Sequence, residues 1–158
     1  MKQVITKFFL FIFLLATINC GFKVINEPEK TDFSIQEIKT AGDKRINFKI
    51  KSNLFNSAKK NDQNILFINL VTKKNKTIKE KNIKNEITKY EISLDVSLEF
   101  NLINEDTNYK IDLSNNGDYL VVDSYSTTLN NEKKLTNDLI ENISEKILKK
   151  ISLKLNDI

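Results

Sequence analysis

Ile87-Thr88-Lys89-Tyr90-Glu91-Ile92-Ser93-Leu94-Asp95-Val96-Ser97-Leu98-Glu99-Phe100-Asn101-Leu102 alternates apolar and polar side chains without a break from Tyr90 onward. Successive side chains of a strand point to opposite faces, so this segment reads as an extended strand with one face in a core and one in water. Such half-wet strands belong to antiparallel sheets that are covered on one side only.

Downstream, Asn104-Glu105-Asp106 turns the chain into a second strand region, Tyr109 to Tyr125. Within it Asn115-Asn116-Gly117-Asp118 has the composition of a turn or a bulge, giving either two short strands or one kinked strand. From Leu135 the period changes: Leu139, Ile143, Ile147, Ile151 and Leu155 recur every four residues, flanked by Ile140 and Leu148. That spacing predicts an amphipathic C-terminal helix, with Asn130 or Asn131 placed to cap it. Its polar face mixes Glu with Lys, which favours packing on the sheet over lying on a membrane.

Upstream of the deciding strand, Lys73 to Lys84 reads KKNKTIKEKNIK, interrupted by Ile78 and Ile83 alone, and is expected as a solvated loop or a mobile hairpin end. Ile65 to Val71, ILFINLV, is a short apolar run expected as a strand buried on both faces. Gly42-Asp43 reads as a turn with an N-cap, followed by Ile46, Ile50 and Leu54 at helical spacing with Phe55 beside them. The alternation Phe33, Ile35, followed by Ile38, marks a first strand. The predicted fold class is α+β: a two-layer sandwich of two helices on one face of a mainly antiparallel four-stranded sheet.

Composition removes much chemistry. The 158 residues contain no His, no Trp and a single cysteine, Cys20, so His-based zinc sites, thiol-imidazole pairs and intrachain disulfides are excluded. Neither a Gly-rich phosphate loop nor a G-x-S-x-G elbow is present. Asp123-Ser124-Tyr125-Ser126 offers hydroxyls with no imidazole to activate them, and reads as a strand end and turn. No enzyme activity and no cofactor are expected. The lysine-dense stretch carries no aromatic, so a nucleic-acid role is not expected either. Lys, Asn and Ile are abundant while the chain has only 3 Gly and 1 Pro, a bias that an AT-rich genome imposes broadly. The lysines are therefore read first as solvated surface.

The N-terminus reads as a leader. Lys2 and Lys7 precede Phe8 to Ile18, FFLFIFLLATI, an apolar run of eleven residues. A helix needs about twenty apolar residues to span the hydrocarbon core, so this is the h-region of a signal peptide and not a permanent span. Cys20 follows where a lipoprotein signal peptidase would create the new N-terminus, although Thr17 and Asn19 depart from a Leu-Ala-Gly-Cys pattern. The alternative is that Cys20 is simply a small residue near an ordinary cleavage site. The expected organisation is a signal peptide at 1–19, a lipid-anchored tether at 20–31 containing Pro28, and one domain at 32–158. Loss of the leader lowers the formal charge from +4 to about +2.

Cys20-Gly21-Phe22-Lys23-Val24, the alternating stretch Tyr90 to Leu102, Asp123-Ser124-Tyr125 and the helix Leu135 to Leu155 occur in an order that resembles the LPS-assembly lipoprotein LptE family across the whole mature chain. The resemblance implies an outer-membrane lipoprotein on the periplasmic face, seated in the β-barrel protein LptD, that assists barrel assembly and delivery of lipopolysaccharide. It also implies basic side chains that contact the anionic lipid. The nearest candidates here are Lys73, Lys74, Lys76, Lys79, Lys81 and Lys84. Other readings of the same residues are an unrelated periplasmic lipoprotein acting as a pilotin or small-lipid carrier, and an exported hydrolase of unfamiliar type. A carrier would enclose an apolar cavity, a plug would have a filled core and a free polar face, and a hydrolase would gather groups of shifted pKa in one cleft.

Overall fold

A computed structural model describes residues 33–59, 64–103, 105 and 107–156. The leader, Cys20, the tether with Pro28, and Asn104 and Asp106 of the expected turn lie outside the described residues. The elements run β1 (Ser34–Gly42), α1 (Lys44–Ser57), β2 (Ile65–Lys81), β3 (Ile87–Leu102), β4 (Tyr109–Leu120) and α2 (Tyr125–Asn156). The strands form one sheet in sequence order, with β1 parallel to β2 and the other two pairings antiparallel. Both helices pack on the same face, which makes the α+β two-layer sandwich.

β3 spans the alternating segment from end to end, and every even residue from Ile92 to Leu102 is buried. Opposite it α1 supplies Ile46, Ile50 and Leu54, and α2 supplies Leu139, Ile143, Ile147 and Ile151. Phe33, Phe100, Ile50, Leu54, Leu98, Ile143 and Ile147 are at most 1 % exposed, so the space between the layers is filled. Each such side chain contributes about 1.5–3 kcal/mol on leaving water.

α1 begins where the sequence places its cap. Asp43 Oδ1 accepts from the backbone N–H of Arg45 at 2.9 Å and of Ile46 at 3.1 Å, satisfying two donors that have no partner within the helix. Gly42 precedes it with φ +95°, and a Cβ built there would stand 1.9 Å from the Thr72 carbonyl oxygen. Only glycine fits. Behind this corner, Asn47 joins α1 to both neighbouring strands, donating to the Ala41 carbonyl at 3.0 Å and accepting from Thr72 Oγ1 at 2.8 Å.

Three expectations are corrected. The lysine-dense stretch is strand, not a loop: β2 continues to Lys81, paired with β3 as far as Lys81 opposite Ile87, and the turn is confined to Asn82–Glu86. The reason is that alternation continues after Val71 in polar form, through Thr72, Lys74 and Lys76, to Ile78. Asn115–Asp118 is not a turn either, because β4 pairs with β3 in unbroken register from Tyr109 to Leu120. Gly117 is there for close approach: its Cβ would lie 2.7 Å from Leu135 Cδ1 of α2. Finally, α2 starts at Tyr125, ten residues before Leu135, so Asn130 and Asn131 lie inside the helix. Ser124 occupies the cap position, its carbonyl accepting from Thr128 N–H at 3.0 Å and its Oγ from Thr127 N–H at 3.4 Å.

The turn itself is built on asparagine. Asn82 Oδ1 accepts from the backbone N–H of Lys84 at 2.9 Å and of Glu86 at 3.0 Å, while Asn85 takes the left-handed conformation at φ 63°. Asparagine tolerates that region better than other non-glycine residues.

Candidate functional site

The half of β2 that reads as a loop and the third of α2 that precedes the apolar stripe meet each other. Along β2 the core-facing positions change from Leu66, Ile68 and Leu70 to Thr72 and then to Lys74 and Lys76. Along α2 the same line runs backward from Ile143 and Leu139 to Thr136 and Glu132. An apolar seam thus passes into an ionic one.

Glu132 is its hub. Lys74 Nζ donates to Glu132 Oε1 at 3.1 Å and to Thr136 Oγ1 at 3.3 Å, Lys76 Nζ donates to Glu132 Oε2 at 2.7 Å, and the Tyr119 hydroxyl donates to the same oxygen at 2.9 Å. The Tyr90 and Tyr119 rings stack with centroids 5.7 Å apart, and the Lys76 ammonium sits 4.3 Å from the first and 5.3 Å from the second. Cation–π attraction therefore adds to the ion pair.

These contacts set the ionisation. Burial alone pushes the Glu132 carboxyl up, but hydrogen bonds from Lys76, Lys74 and Tyr119 with the Lys74 charge outweigh it and hold the carboxyl at about 2. Burial alone lowers the Lys76 ammonium, and its bonds with Glu132 and Tyr119 overcome this and raise it to about 12. Burial and Glu132 raise the Tyr119 phenol, against the opposing effect of Lys76. A carboxylate held that low is a poor general acid or base at neutral pH, and a lysine held that high is a poor nucleophile. The cluster is suited to holding two elements together.

Beside the hub lies an open groove of about 420 Å³ between the N-terminus of α1, the middle of β2 and α2, lined by Asp43, Arg45, Lys49, Lys74, Glu132, Lys133, Thr136 and Asn137 among others. Ile46, Leu129 and Ile140 complete the lining, so more of its surface is apolar than polar, and Lys49 Nζ crosses one end to Asn137 Oδ1. Among the described residues no group of three or more Asp, Glu or Cys side chains could hold a metal ion.

The six candidate lysines do not form one patch. Lys74 and Lys76 face α2. Lys73 and Lys79 lie on the uncovered side of the sheet, Lys73 opposite Asp95 in the ladder and Lys79 bound to Asp118 at 2.6 Å and Glu91 at 3.3 Å. Lys81 donates to Asn85 across the turn at 2.9 Å, and Lys84 sits in the turn itself. Cys20, the proposed acylation site, lies outside the described residues.

Sequence reading missed Glu132, Tyr90 and Tyr119 as partners of these lysines. The available signal was positional: Glu132 and Thr136 continue the α2 stripe at helical spacing upstream of Leu139.

The uncovered sheet face is polar along β3 and the middle of β4, while β2, expected to be buried on both faces, adds the half-exposed Val71 opposite Ser97. Ser97 Oγ donates to Asp112 Oδ1 at 2.6 Å and Ser114 Oγ to Asp95 Oδ1 at 2.7 Å, both across the β3–β4 ladder. Hydrogen bonding from Ser97, aided by the Lys110 charge, lowers the Asp112 carboxyl below its ordinary value. Neither helix touches this face.

A solved structure of rare lipoprotein B from Shewanella oneidensis superposes on this chain with a TM-score of 0.60, covering 78% of this chain and 96% of that one at 14% identity. The fold resembles that of rare lipoprotein B. A second solved structure, lipoprotein B from Nitrosomonas europaea, gives a TM-score of 0.57 over 86% of this chain and 93% of that one at 13% identity. The lipoprotein B fold thus takes in almost the whole of both known chains. No protein-family model and no curated protein matches the sequence. Among the described residues no helix is long and apolar enough to cross a membrane.

Proposed function

We propose that this chain is an LptE-type lipoprotein, acylated on Cys20 and held on the periplasmic face of the outer membrane, that sits in the β-barrel LptD without catalytic activity of its own. In that place it assists barrel assembly and the delivery of lipopolysaccharide. The observation that carries the reading is the lipoprotein B fold, which is the fold of the LptE family, together with one sheet face left uncovered and largely polar. A filled space between the layers suits a plug better than a carrier, which would hold its lipid in an enclosed apolar chamber. The polar face, with its own ladder of hydrogen bonds, matches the wet interior wall of a large barrel. Pinned ionisation supports a structural role for Glu132 and Lys76, the strongly shifted pair among the described residues.

A photo-crosslinking side chain at Ser97, in the centre of the polar face, tests this in native membranes. The expected result is one adduct with a large β-barrel, lost when Cys20→Ala abolishes acylation and releases the domain from the membrane. Adducts with a secretion complex, or no adduct from a membrane-bound chain, would overturn the barrel reading.

A further inference from the structure

The outward face of α1 is tied to the fold through Lys51, whose ammonium donates to the Ile38 carbonyl of β1 at 3.2 Å, yet it is not an ordinary polar surface. Ile46, Ile50 and Leu54 bury the opposite side of the helix. At 100° per residue Phe48 and Phe55 fall about 20° apart on one stripe, pointing directly away from the core. Phe48 is 73 % exposed and Phe55 40 %. Lys44 and Lys51 alternate with them along the same stripe, and the Lys51 ammonium lies 5.7 Å from the Phe55 ring centroid. Across Lys44–Ser57 the helix carries Lys44, Arg45, Lys49 and Lys51 and not one acidic residue. Elsewhere in the chain charges are mixed: β2 carries Glu80 among its lysines, and α2 carries Glu141 and Glu145 among its own.

We infer that the outer face of α1 is a docking surface for an anionic phospholipid surface, with Phe48 and Phe55 entering the boundary between headgroups and acyl chains and the exposed Lys44 and Arg45 lying among the phosphates. Aromatic side chains interleaved with cations and free of acids are the pattern by which amphipathic helices lie in that boundary. A protein interface is the poorer match, because such contacts are depleted of lysine at their centres. Position agrees with chemistry. Lys59 N–H donates to the Phe33 carbonyl at 3.0 Å, so the C-terminal end of α1 adjoins the point where the chain enters the domain. The twelve residues between Cys20 and Phe33 reach about 40 Å at full extension, enough for α1 to lie on the surface from which the chain emerges. This describes the protein before any barrel receives it, and the reach rests on Cys20 as its anchor, as proposed above.

The chain has no tryptophan, so Phe48→Trp introduces a single reporter. The full chain carrying it is reconstituted into vesicles of phosphatidylcholine with phosphatidylglycerol and into vesicles of phosphatidylcholine alone. Blue-shifted emission and quenching by brominated acyl chains are expected on the anionic vesicles. The shift should be weaker on neutral vesicles or at high salt, and reversed by Lys44→Gln with Arg45→Gln. Tyr125→Trp, at the exposed first residue of α2, serves as the control and should keep the emission of a solvated indole. A solvated spectrum for Phe48→Trp on anionic vesicles, or equal shifts on both compositions, would overturn the proposal. A shift seen only in native membranes would overturn it too, assigning the face to a protein.

Discussion

Lys76 and Glu132 stand 2.7 Å apart across the two layers of the domain, joining the distal half of β2 to the first third of α2. There the core-facing positions of β2 are Lys74 and Lys76, where its first half carries Ile68 and Leu70, so this contact holds the strand to the helix in place of apolar packing. Lys74, Tyr119 and the Tyr90 ring complete the joint.

Glu132→Gln should destabilise the domain by about 1–2 kcal/mol, between an exposed pair and a fully buried one, because the side chains of Lys76 and Glu132 are 38% and 21% exposed and solvent screens part of the attraction. Urea unfolding measures it. The pH dependence has a definite sign: the folded-state carboxyl lies at about 2 against an ordinary 4.5. Its contribution is present above 4.5 and is lost as pH falls through about 2, so the gap between wild type and Glu132→Gln should close over that interval. At the alkaline end, Lys76 contributes fully below 10.5, and its contribution fades as pH rises through about 12. A gap that stays constant down to acid pH would show that the carboxylate is not the hub.

Gly42→Ala and Gly117→Ala should differ sharply. At Gly42 the obstacle is a backbone carbonyl at 1.9 Å and the φ of +95° is left-handed, so a loss above about 2 kcal/mol is expected. At Gly117 the obstacle is the tip of the Leu135 side chain, which can rotate away, and the expected loss is about 1 kcal/mol. Paired thermal melts decide the order, and the reverse order would contradict this account of both sites.

Charge reversal of the hairpin lysines has to spare the hub. Lys73→Glu with Lys81→Glu and Lys84→Glu touches only positions away from Glu132, and should weaken lipopolysaccharide binding while leaving the melting temperature within a few degrees. The same reversal at Lys76 should cost stability instead. Unaltered lipopolysaccharide affinity in the triple variant would remove these three lysines from the proposed contact.

The sequence is legible where apolar side chains mark a face. β3 can be read to the residue from its alternation, α1 from Asp43 and three aliphatic residues, and the second half of α2 from its four-residue period. Reading stops where the buried face turns polar. β2 continues through Thr72, Lys74 and Lys76 with the same two-residue period, and α2 begins through Glu132 and Thr136 with the same helical one, but neither stretch carries the hydrophobic signal. Each is stabilised by the other, a long-range pairing that local patterns do not encode. Gly117 misleads for a related reason: glycine beside asparagine suggests a turn, whereas the real demand is room for Leu135.

The central claim is that this domain works inside a barrel partner, and the most direct measurement is purification of the tagged full chain from its native membrane in mild detergent, with mass spectrometry of what accompanies it. The account predicts a large outer-membrane β-barrel in one-to-one amount. Recovery of the chain alone, or with a secretion complex, would contradict it.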